Sequence, residues 1–172
     1  MIRPDLPSVP SFYLGYVSLV KDGDLFENLE QSAAKAQEVF ARIPETKGDY
    51  AYAPGKWTIK EVFCHMLDTE RIFAYRALRF ARNDQTPLPG FEEKRYAPQA
   101  NAHNRSVADL LDEMGRLRRT TIDLYRSFTL EMLERTGMAN NTSLSVLNLG
   151  FIIPGHETHH RIVVEERYMQ GI

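Results

Sequence analysis

His156 and His160 lie four residues apart near the C-terminus. Any helix that carries them presents both on one face. Two imidazoles in that register can grip a divalent cation, and a third from another helix, His65, would complete the set. Three protein ligands leave coordination positions open for water or substrate, the pattern of a catalytic rather than a structural metal centre. Leu149, Ile152 and Val163 share the stripe of His156 and His160, so that stripe faces a core. An imidazole buried there needs a partner, and a shared cation serves two that compete for the same space. We read residues 156–160 as an H-x3-H pair rather than as a protease element, with His159 flanking the stripe.

The helix carrying His65 has a polar line of its own: Glu61, His65, Asp68, Thr69, Ile72, Arg76 and Arg79. Two accounts fit it, a solvated face or the wall of a cleft. In the second, Glu61 or Asp68 orients His65 through its other ring nitrogen or takes a proton in a reaction, and Arg76 and Arg79 hold an anionic substrate group. Cys64 points away from His65 and reads as a small buried hydrophobe. His103 reads as a surface or capping residue. The sequence contains no G-x-S-x-G, phosphate-cradling glycine loop or Cys-x-x-Cys.

These residues need helices to place them. A first helix opens at Asp24, with Glu27 three residues on, and stops before Pro44. The second opens on a Thr58-x-x-Glu61 capping box, with Trp57 and Val62 as a hydrophobic staple, and runs to about Asn83. A third spans Ser106 to about Phe128, a short turn follows around Leu130 to Arg135, and the last helix runs from Ser143 or Ser145 to Tyr168. Pro154 predicts a kink in it. Residues 1–21, with Pro4, Pro7 and Pro10, read as irregular, and no stretch alternates as a strand. Four helices with short connections predict an all-α four-helix bundle, and the long segment 85–105 is a candidate functional loop.

At 172 residues the chain reads as one domain, 1–172. A net charge of -2 gives no electrostatic footprint for nucleic acid. One cysteine permits no internal disulfide. The N-terminus lacks a signal-peptide layout, and no run suffices for a membrane span. A soluble cytoplasmic protein is the expectation.

Gly55-Lys56-Trp57-Thr58-Ile59-Lys60-Glu61-Val62, with His65 and Asp68-Thr69-Glu70-Arg71, resembles the second-helix signature of the DinB-like superfamily. Residues 73–82, the Pro87-Leu88-Pro89-Gly90-Phe91 loop and Gly155-His156-Glu157-Thr158-His159-His160 are also similar to its members. The resemblance covers about residues 25–170. It implies an up-down-down-up four-helix bundle in which His65, His156 and His160 bind a divalent metal, zinc or nickel. It implies a small-molecule substrate, a homodimer, and either a thiol-dependent S-transferase, with a low-molecular-weight thiol as co-substrate, or a hydrolase. The alternative is a non-catalytic metal-binding bundle with a stress-response or interaction role.

Overall fold

Each long helix begins where a side chain can satisfy the free N–H groups of its first turn. The computed structural model describes residues 3–170. A short helix, α1 (Ser11–Val17), precedes α2 (Leu25–Phe40). Asp24 caps α2, accepting from Phe26 N at 2.8 Å. α3 (Ile59–Ala81) opens on the full capping box: Thr58 N donates to Glu61 Oε2 at 2.7 Å, and Glu61 N donates to Thr58 Oγ1 at 3.2 Å. A single turn, α4 (Glu93–Tyr96), lies in the long loop. Ser106 caps α5 (Val107–Arg126), and α6 (Leu130–Glu134) follows. Ser145 caps α7 (Val146–Val163), which ends in a π-helical turn, Val164–Tyr168.

Two expectations are corrected. Residues 11–17 are helical, not irregular, because Pro10 sits at the N-cap, where its missing N–H is not needed and its carbonyl accepts from Tyr13 N at 2.8 Å, and Tyr13 and Val17, one turn apart, bury on one side. A two-stranded antiparallel hairpin is also present, β1 (Thr136–Ala139) and β2 (Thr142–Ser145), with Thr136 opposite Ser145. Its turn is Asn140-Asn141, both at positive φ (50° and 57°), the backbone that a tight hairpin requires and asparagine tolerates. The proline does not end α7, which continues through Pro154 as one helix.

The hairpin does more than link α6 to α7. Leu88 N donates to Met138 O at 2.9 Å and Asn140 N to Leu88 O at 3.0 Å, so the strand edge fixes the loop after α3. Gly137 lies so close to the Phe80 ring that a Cβ would be 2.1 Å from it, which seats the hairpin on the end of α3.

α3 packs on α5 and α7, and α2 packs on the same two helices. The core falls into two apolar clusters. One includes Leu25, Leu29, Phe73, Tyr125, Leu149 and Ile152; the other Phe40, Ile59, Phe63, Leu67, Leu110 and Val164. Along each long helix the residues between the clusters are polar and buried: Ser32 in α2, Thr69 in α3, Arg118 in α5, His156 and Glu157 in α7. Arg118 donates from Nε and Nη2 to the two Glu70 oxygens at 2.9 and 3.0 Å, and from Nη1 to Leu29 O and Ser32 Oγ. No helix among the described residues is long and apolar enough to cross a membrane.

Candidate metal centre

One turn separates His156 from His160 on α7, and α3 crosses against that turn at His65. The Nε2 atom of His156 lies 3.1 Å from that of His65 and 3.1 Å from that of His160. The three ligand atoms all lie within 4.8 Å of one another. His156 is buried, and the other two are partly so. Burial pushes His65 down to about 4 and His160 to about 3, and holds His156 well below its ordinary range. All three rings are therefore neutral at neutral pH, the form that ligates metal. A neutral ring has one N–H and one lone pair. Two neighbours pointing Nε2 at the single lone pair of His156 cannot both be satisfied by it, whereas one cation accepts all three lone pairs. The donor set fits a divalent metal.

The cluster opens on a cavity of about 240 Å³. Its walls are drawn from distant parts of the chain. α1 supplies Tyr16, whose ring is 5.3 Å from His156 and 5.4 Å from His159. Trp57 packs its ring at 4.9 Å from His65, tilted by 47°, and Phe73 lies 6.4 Å from His156. The long loop brings Phe91 and Glu93, and the hairpin turn brings Asn140. Tyr16 can approach because residue 155 is glycine: a Cβ there would lie 2.2 Å from Tyr16 O. Glu93 is the carboxylate of this lining, and its charge acts on both His65 and Tyr16.

The polar line of α3 divides. Arg76 lines the same cavity, 3 % exposed, and donates from Nη2 to Pro89 O at 2.9 Å. Arg79 lies at the helix end, engaged with Asp84 and the Tyr75 hydroxyl. Glu61 is occupied in the capping box, and Asp68 faces Arg71 at 3.8 Å. Neither carboxylate is in the lining of the histidine cavity. Cys64 is buried, His103 is exposed and His159 flanks the cluster through His160, at 5.0 Å.

By spacing, His156-Glu157-Thr158-His159-His160 also satisfies H-E-x-x-H, in which the glutamate serves as base on a zinc-bound water. Spacing does not set that reading aside; the geometry does. Glu157 lines small cavities behind His156, toward Glu70 and Arg118, and is absent from the lining of the histidine cavity. Its burial pushes the carboxyl up to about 7. The residues that sequence reasoning missed, Glu93, Tyr16 and Asn140, arrive through tertiary structure, and only the length of segment 85–105 hinted at one of them.

A family model described as the DinB superfamily matches residues 28–164. A comparison with curated proteins gave no match. Among solved structures, the chain is similar to YfiT from Bacillus subtilis, described as a probable metal-dependent hydrolase with an unusual four-helix bundle topology. The TM-score is 0.71 at 18% identity, over 83% of this chain and 82% of that one. That likeness shows a shared four-helix fold, and with the family match running across most of its length, the chain belongs to the DinB superfamily.

Proposed function

We propose that this chain is a divalent-metal-dependent enzyme, either a hydrolase or a thiol-dependent S-transferase acting on a small molecule. The observation that carries the reading is the meeting of three neutral imidazole nitrogens at a cavity of about 240 Å³. A metal held only for structure is closed by a fourth side chain, whereas here a cavity adjoins the histidines. When bound, zinc or nickel supplies the Lewis acidity that makes water or a low-molecular-weight thiol nucleophilic near neutral pH. The chain does the rest. His65, His156 and His160 hold the cation, Glu93 accepts the proton of the nucleophile, and Tyr16, Trp57 and Phe73 wall the reaction from solvent. The description of YfiT supports the hydrolase arm.

The chain direction we propose is up-down-down-up. Support comes from pairs along the helices: Arg118 meets Glu70, and Arg82 lies over Phe128, so α5 runs parallel to α3. His65 meets His160 while Phe73 meets His156, so α7 runs against α3.

Elemental analysis of protein purified without chelator tests the function. About one zinc or nickel per chain is expected, lost in both His65→Ala and His160→Ala. Assays against an ester and amide panel, with and without thiol, then separate the two arms. Turnover retained in metal-free protein overturns the mechanism.

A further inference from the structure

Arg76 is nearly inaccessible to solvent, yet none of the described carboxylates forms an ion pair with it. Its known partners are neutral: the Pro89 carbonyl, the Tyr13 hydroxyl and the Phe73 ring. The one other buried arginine among the described residues, Arg118, is neutralised by Glu70. A guanidinium carries five donors, and burying its charge without a counter-ion is costly. The side chain borders the histidine cavity, so an anion in that cavity can reach it.

We infer that the substrate is a small organic carboxylate, its acid head on Arg76 and its reacting group at the histidines. The spacing sets the body between them. The Phe73 ring lies 6.4 Å from the His156 ring and 5.7 Å from the Arg76 guanidinium carbon, so a short aryl or alkyl segment over Phe73 spans the two. Tyr13 and Phe91 add apolar wall. Glu93 does not neutralise Arg76, and it acts at the other end, on His65. The inference names the substrate class for the metal reading above and rests on it for which group reacts; the anion site itself is a property of Arg76.

Trp57, the one tryptophan of the chain, borders the cavity and reports its occupancy by fluorescence. The probes are 4-phenylbutyrate and 4-phenylbutyramide, titrated into metal-free and zinc-loaded protein. We expect the acid to bind metal-free protein at least tenfold more tightly than the amide, the scale of a charge-assisted hydrogen-bond pair. Arg76→Met abolishes that preference. Equal affinities for acid and amide in metal-free wild-type protein overturn the inference without any variant. Acid preference seen only with zinc, and kept in Arg76→Met, also overturns it, because the metal is then the anion receptor and the metal reading stands. Failure to take up either zinc or nickel sinks the metal reading and leaves the acid preference to be judged alone.

Discussion

A histidine cluster that folds neutral makes the protein sensitive to acid in a predictable direction. His65 and His160 fall from the ordinary 6.5 to about 4 and about 3, and burial holds His156 well below 6.5 too. Between pH 6.5 and about 4 the unfolded chain binds protons at these positions and the folded one does not, so stability rises with pH. Glu157 works against this. Its carboxyl sits at about 7 against an ordinary 4.5, so above 4.5 the folded state keeps a proton that the unfolded chain has released. Three groups outweigh one. Metal-free protein is therefore expected to lose stability on acidification from pH 6.5 to 4.5, each histidine contributing up to about 1.4 kcal/mol per pH unit. Denaturant titrations at several pH values measure the slope. It should be shallower for His160→Gln, and an unchanged slope would remove the cluster as its origin.

At the scale of elements, the close approach of α1 to α7 shapes the cavity. Gly155 has the Tyr16 backbone where its Cβ would be, and backbone cannot swing aside as a side chain does. Gly155→Ala should therefore push α1 outward, at a cost of about 1–3 kcal/mol for overpacking, although alanine is the better helix former. A thermal melt checks the stability, and Trp57 quenching by acrylamide checks whether the cavity has opened. A variant as stable as the parent would mean that α1 is not held there. The long helices were legible from their caps: Asp24, Thr58 with Glu61, Ser106 and Ser145 each start one. α1 was hidden because prolines crowd residues 4–10 and the helix starts only after the last of them. The hairpin was hidden because four-residue strands are too short for a period of two to declare itself; Asn140-Asn141 was its one local signal. The histidine face of α7 followed from spacing. The separation of Arg76 from Arg79 could not, because it depends on where Asp84 and the Pro89 loop settle.

For the whole molecule, the division of the core is the main energetic fact. A buried charged layer is held between two apolar clusters above all by the two-pronged pair of Arg118 and Glu70, while the Glu157 carboxylate and the Thr69 hydroxyl in the same layer lack a hydrogen-bond partner among the described residues. Arg118→Met leaves Glu70 and Glu157 facing each other without the cation. The expected loss is about 3–5 kcal/mol, the cost of stranding one partner of a buried pair. Urea unfolding measures it. A loss under about 1 kcal/mol, the range of surface pairs, would show that water relaxes the layer.

His65 and His156 stand 91 residues apart in the chain, while His156 and His160 are separated by 4. An unfolded chain can offer a cation the near pair at little entropic cost, but must close a long loop to add the third ring. Folding has already closed that loop, so under the metal reading proposed above the native chain would grip with three ligands what the coil grips with two. The difference in affinity is a free energy of folding seen from the ligand's side. Traces of metal in a buffer would then shift the melting point of this protein, and chelator would shift it back.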